Sequence, residues 1–256
     1  MKNVKLERTL MMNYSIAVQL YTLLSECEKD FYGTLSRVSA LGFQGVELAG
    51  YYGKDAKELK GKLDELQLKA VSSHVPLERL EGNLLVELNY LKELNCKHIV
   101  CPFLKEDRRD DYLGLAKSLN RIGKVCKENG ITLSYHNHEF ELEKELDKTY
   151  LELLFENTHS EYLQAELDVY WLTFSGENPI EWMNQYKNRM SLIHLKDMTT
   201  DNRKTFAELG TGGVNLEGIM NKLPNTSIEW VIIEQDKCEG SPFESIEKSI
   251  KYLEAM

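Results

Sequence analysis

The stretch Ile131-Thr-Leu-Ser-Tyr-His-Asn-His138, which runs on to Glu139 and Glu141, is a strand-like run ending in groups able to ligate a metal. Three more runs follow the same plan. Leu163-Gln-Ala-Glu-Leu-Asp168 leads into Val-Tyr-Trp, Met190-Ser-Leu-Ile-His194 into Leu-Lys-Asp, and Trp230-Val-Ile-Ile-Glu234 into Gln-Asp. One polar group closing one strand decides nothing. Four in succession, all His, Asp or Glu, imply strand ends that converge on one site, as the C-terminal ends of parallel barrel strands do.

Outward from these runs the chain alternates strand-like and helix-like segments. Upstream, strands are expected at 14–20, 45–49, 68–74 and 98–101, and helices at 31–41, 55–66, 78–94 and 107–129. The helices rest on apolar spacings of three and four, as in Leu59, Leu63 and Leu66, and on glycine stops at Gly42 and Gly130. Downstream, strands are expected at 131–138, 163–171, 191–195 and 228–234, and helices at 146–157, 179–188, 214–223 and 243–253. Eight strand–helix units without a Pro-, Gly- or Ser-rich linker predict an α/β protein, a single (β/α)8 TIM barrel over 14–256 behind a short N-terminal arm, 1–13. A doubly wound open sheet needs a glycine-rich phosphate turn after its first strand, and Gln19-Leu-Tyr-Thr-Leu-Leu offers none.

Composition narrows the function classes. The 256 residues are 42% apolar, enough for one sizeable core. With 31 basic against 41 acidic residues the formal charge is −10, so no basic stripe is available for nucleic acid. No apolar run reaches the ~20 residues of a membrane span, and the N-terminus lacks the apolar stretch of roughly 7–15 residues found in a signal peptide. No nucleic-acid or membrane partner is expected, and a cytoplasmic location is. Five cysteines, odd in number and without a C-x-x-C pair, favour reduced thiols.

Asp168, His194 and Glu234 close strands six, seven and eight. One imidazole and two carboxylates suit one divalent ion (Mn²⁺, Co²⁺, Mg²⁺ or Zn²⁺) with positions left for a substrate. On strand five, alternation puts His136 and His138 on one face and Tyr135 and Asn137 on the other. Glu141 lies past that strand, where a loop can turn it toward the metal. Glu47 and His74 end strands two and three, on the rim, as substrate-hydroxyl ligands, proton acceptors or structural hydrogen-bond partners. Lys196 shares the face of His194 and suits a developing oxyanion or an anionic group, with Asp197 turned away to cap a loop. Tyr170 and Trp171 offer an aromatic wall for a sugar face, or core packing. His98 and His159 read as structural, and the amides of Gly210-Thr-Gly-Gly213 offer an anion seat.

Leu167-Asp-Val-Tyr-Trp, His194-Leu-Lys-Asp, Glu208-Leu-Gly-Thr-Gly and Ile233-Glu-Gln-Asp together resemble the xylose-isomerase-like TIM barrels, a group often labelled sugar phosphate isomerase/epimerase. Tyr135-His-Asn-His-Glu-Phe-Glu is similar to the signature of one branch, and Gly45-Val-Glu and Ser73-His to the family's early strands. The likeness runs from about Tyr14 to Leu253. It implies a metal held by Glu, Asp, His and Glu on the last four strands, and Asp168, His194 and Glu234 match the last three. The first departs. Aligning the family's strand-five Asn with Asn137 puts Ser134 in the Glu position, so Glu141 or His136 takes its place.

The resemblance further implies a divalent-metal-dependent sugar isomerase or epimerase, acting on a polyhydroxy carbonyl compound through proton abstraction and a metal-stabilised enediolate. Glu234 or Glu141 is the expected base and His136 or His138 the acid. The two-histidine motif makes a keto-sugar dehydratase or lyase the alternative, and a non-catalytic sugar-binding barrel a further one. Metal-dependent phosphodiester cleavage shares the fold but is disfavoured by the acidic charge. The expected partner is a small sugar or keto-sugar; dimers are common among such barrels, so a homodimer stays an open expectation.

Overall fold

The computed structural model describes residues 14–256; the arm expected at 1–13 lies outside them. Eight parallel strands close into a barrel: β1 Ser15–Gln19, β2 Gly45–Leu48, β3 Lys69–His74, β4 His98–Cys101, β5 Thr132–His136, β6 Gln164–Asp168, β7 Leu192–Leu195 and β8 Trp230–Ile233. Each strand pairs with its sequence neighbours, and β1 with β8, so the ring is in chain order. Helices follow each strand and bury their apolar sides against the outer faces of the strands, with Val18, Val46, Ile99, Leu133, Leu167 and Ile193 all in that shell. Inside the ring a small layer of Ala17, Val71, Val100, Leu192 and Ile232 fills one level. The C-terminal level is polar, and the site lies there.

The β2–β3 register slips after Val46, so Glu47 stands opposite Ser72 rather than Val71. Gly45 makes room for the slip: a Cβ there would sit 2.5 Å from Val71 Cγ2 and 3.0 Å from the Trp230 ring. The slip brings Ser72 Oγ to 2.6 Å from Glu47 Oε1 and leaves His74 beside the same carboxylate.

Four expected elements are split or shifted by more than two residues, each for a local reason. The helix expected at 78–94 is two, Leu77–Gly82 and Leu84–Glu93, because Gly82-Asn83 breaks it with Asn83 at φ −133°. The helix expected at 107–129 begins at Tyr112, where the Asp111 carboxylate accepts from Gly114 N–H. The helix expected at 146–157 begins at Tyr150, behind a Thr149/Glu152 capping box. The strand expected at 163–171 stops at Asp168, whose Oδ1 accepts from the amides of Tyr170 (2.9 Å) and Trp171 (3.3 Å) and starts the helix Val169–Phe174. Trp171 is therefore helical. All five cysteines are free, and among the described residues no helix is long and apolar enough to cross a membrane.

Candidate active site

Seven strand-end residues meet inside the ring: Glu47, His74, His136, Glu166, Asp168, His194 and Glu234. All are buried except His74, which is 11% exposed at the floor of an open cavity of about 520 Å³. Period-two alternation on β6 points Glu166 and Asp168 into the barrel together. The same alternation sets Lys196 above His194.

His194 is gripped at both nitrogens. Nδ1 lies 2.9 Å from Glu234 Oε2, and Nε2 lies 2.7 Å from Glu47 Oε2 and 3.5 Å from Glu166. Burial opposes its charge, yet the Glu166 and Glu47 carboxylates hold its pKa well above the usual value. His74 Nε2 sits between the same two carboxylates, 3.0 Å from Glu166 and 3.1 Å from Glu47. Burial again works against the charge, and the carboxylates overcome it, raising His74 to about 9. Glu47 is held well below the carboxylate range: burial opposes its ionisation, and His74 and His194 outweigh it. Glu166 goes the other way, to about 7, through burial and the neighbouring Glu47 charge.

Lys196, 1% exposed, places its ammonium 2.9 Å from Asp168, 2.7 Å from Glu234 and 2.6 Å from Asp236. Burial penalises that ammonium, and the three carboxylates more than compensate. Burial likewise resists ionisation of Glu234, but Lys196 and His194 keep its carboxyl well below the usual range.

Two sets of donors lie close enough to share one ion. In one, single atoms of His136, Asp168, His194 and Glu234 are all within 4.8 Å of one another; in the other, those of His74, His136, Glu166 and His194 are. Two neighbouring atoms, His136 Nδ1 and Glu166 Oε1, are buried without a hydrogen-bond partner. Buried polar atoms left this way are rare in folded proteins and mark a place for an ion or water. The mixed imidazole–carboxylate set is the chemistry of borderline divalent ions. The described residues therefore contain a buried His/Asp/Glu group that fits a metal.

Similarity to known proteins is consistent with this geometry. The family description "xylose isomerase-like TIM barrel" matches residues 35–256. The chain belongs to that family. An inosose dehydratase of Clostridium beijerinckii is 27% identical, the alignment covering 88% of this chain and 89% of that protein. An inosose dehydratase of Lacticaseibacillus casei is 26% identical over 89% and 90%. Among solved structures, a sugar phosphate isomerase/epimerase from Parabacteroides distasonis superposes with a TM-score of 0.80 at 26% identity, covering 95% of this chain and 94% of that one.

Within this xylose isomerase-like barrel, several residues stand apart from their expected places. Glu141 is in neither donor set. It is fully buried, its Oε1 accepting from Tyr135 O–H at 2.6 Å and its Oε2 from His138 N–H at 2.8 Å. His136 joins both donor sets, and burial together with the His194 charge keeps it neutral. His138 lines the cavity, and burial and Lys196 press its pKa to about 3. The imidazoles held in the protonated form are thus His74 and His194, while the strand-five pair, His136 and His138, is held neutral. Glu47 is not a rim ligand: it is fully buried, saturated by Gln19, Ser72, His74 and His194. Trp171 does not line the cavity but backs it, its ring 5.5 Å from that of His138. The amides expected as an anion seat are taken internally, since the Asp197 carboxylate accepts from Gly210, Gly212 and Val214 N–H at 2.9–3.0 Å.

Two residues that matter were not singled out by sequence. Glu166 sits inside the run Gln164–Asp168, two places before the residue that was chosen. The alternation that selects Asp168 selects Glu166 equally. Asp236, two places past Glu234, is the third partner of Lys196.

Proposed function

We propose that this protein is a divalent-metal-dependent dehydratase acting on a polyhydroxy carbonyl compound of the keto-sugar class. The observation that carries this reading is the asymmetry of the site. Two-base epimerisation wants a carboxylate on strand five facing the one on strand eight. Here β5 presents Ser134 and His136 at that level, and Glu141 is spent on Tyr135 and His138. What remains is two cavity-lining carboxylates, Glu234 and Asp236, both on the β8 side, and a protonated imidazole on β3, His74. A base on one side and an acid on the other is the equipment of an elimination.

His136, Asp168, His194 and Glu234 would hold the ion. A divalent ion bound there supplies Lewis-acid polarisation of the substrate oxygens. Glu234 takes the proton from the carbon next to the carbonyl. A carbon–carbon double bond forms as the hydroxyl on the next carbon leaves, and His74 gives that hydroxyl its proton, releasing water. Lys196, lining the same cavity, stabilises negative charge gathering on oxygen. Glu47 and Glu166 hold the His74 ring in its protonated form, and water in the cavity restores its proton after turnover. The names of the dehydratase relatives support this reading, and inosose is the first substrate to try. Isomerisation or epimerisation at the same site is the second reading, favoured by the name of the 26%-identical solved structure.

The metal assignment is tested by titrating purified protein with Mn²⁺ in a calorimeter, beside Asp168→Ala and His194→Ala. The expected result is about one equivalent bound by the wild type, with affinity reduced at least tenfold in both variants. Wild-type protein that takes up no ion would remove the metal from the proposal and bring the sugar-binding barrel forward.

A further inference from the structure

Glu141 has a carboxylate with no place in the donor sets and no access to solvent, yet it sits in the middle of the site's most distinctive motif. Its two acceptor oxygens are both used. One receives the Tyr135 hydroxyl, which points out of the barrel wall on the face opposite His136. The other receives the backbone N–H of His138, where the chain has just left β5 and has no strand partner for that amide. The carboxylate thus ties the last outward residue of the strand to the first turn beyond it. Asn137, between them, is anchored as well, since its Oδ1 accepts from Asp168 N–H at 3.1 Å.

The turn so fixed carries one functional group into the cavity, the His138 ring. Aromatic neighbours hold that ring on its remaining sides. Phe140 is parallel to it at 5.8 Å, Phe103 meets it edge-on at 5.2 Å, and Arg109 lies 3.5 Å over Phe140 from outside. The ring itself makes no hydrogen bond at Nδ1. Its orientation therefore comes from the turn and the aromatic cage.

We propose that Glu141 is a positioning residue: through Tyr135 and the His138 amide it fixes the turn that aims His138 at the bound substrate. That substrate fills the cavity lined by His138 rests on the dehydratase reading above; the placement of the ring by Glu141 does not. Glutamine at 141 keeps an oxygen for the His138 N–H, and its amide can donate to the Tyr135 oxygen. Alanine leaves the buried N–H without an acceptor. A metal ligand or base would tolerate neither change.

The test records ring signals of ¹⁵N-histidine-labelled protein, Mn²⁺ titrations and turnover of inosose. Glu141→Ala and Tyr135→Phe are expected to move the His138 ring signals and leave those of His98 and His159 in place. They should lower kcat roughly 10- to 100-fold at near-constant KM. Glu141→Gln is expected to restore the His138 signals and most of kcat, with one equivalent of Mn²⁺ still bound. Loss of Mn²⁺ binding in Glu141→Gln, or turnover as low as in Glu141→Ala, would overturn the proposal and make Glu141 a ligand or base. Unmoved His138 signals in Tyr135→Phe, the variant least disturbing to the fold, would overturn it too. Failure of wild-type protein to turn over inosose would strike the dehydratase reading alone, since the ring signals need no substrate.

Discussion

Glu234→Gln is expected to stop the proposed reaction at its first chemical step, and His74→Gln at the second. In D₂O with Mn²⁺ and inosose, wild-type protein is expected to exchange the proton next to the carbonyl and to release a dehydrated product. Glutamine at 234 removes the base and weakens one metal donor, so both events fall, by about 10³–10⁴. Glutamine at 74 leaves Glu234 in place. Deuterium still enters recovered substrate, but loss of water falls by roughly 10²–10³, because the departing hydroxyl has no proton donor. Deuterium exchange followed by NMR and product mass separate the two. Equal loss of exchange and dehydration in His74→Gln would show that His74 does not act at the leaving group.

Lys196→Met has the second large effect, and it runs in opposite directions with and without metal. The ammonium sits between Asp168, Glu234 and Asp236, where it neutralises carboxylates that a divalent ion would also engage. Methionine fills nearly the same volume and carries no charge. Metal-free protein then keeps three carboxylates, Asp168 and Glu234 buried and Asp236 partly so, without their counter-ion, and its stability is expected to drop by about 3–5 kcal/mol. An added Mn²⁺ ion meets no competing cation, so its affinity rises at least about tenfold. Thermal melts with and without Mn²⁺ read both changes, and turnover falls with the loss of Lys196 at the substrate oxygens. An unchanged Mn²⁺ affinity would mean that the ammonium and the ion do not share a place.

The barrel was legible because the strands carry continuous or alternating apolar residues ahead of a clear stop; β4, His98–Cys101 ahead of Pro102, has the bounds expected of it. Errors fall where a side chain, rather than the apolar pattern, ends an element. Asp168 turns the chain into a helix by capping two amides, and this moves Trp171 off the strand it was read into. Gly82-Asn83 splits a helix whose leucine spacing runs through the break.

At the site, Asp168, His194 and Glu234 could be found because they are the last inward residues of their strands. Glu166 was within reach of the same rule, one pleat deeper. The contact of Glu47 with Ser72 and His74 was not, because it depends on a one-residue slip between β2 and β3 that neither strand's own sequence announces. Glu141, expected as a ligand or base, lies outside both donor sets for a related reason. Past the end of β5 the direction of a side chain depends on the turn, and this carboxylate closes its own turn. The glycine turn at 210–213 looked like an anion seat and is one, but its anion is Asp197 of the same chain.

The most direct measurement is a single incubation of wild-type protein with inosose, once with Mn²⁺ and once with a chelator, the products weighed by mass spectrometry. The account predicts a product lighter by one water in the presence of Mn²⁺ and unchanged substrate with the chelator. An isomer of unchanged mass, formed with Mn²⁺, would contradict the dehydratase reading and establish the isomerase or epimerase in its place; dehydration that persists in the chelator would contradict the metal centre.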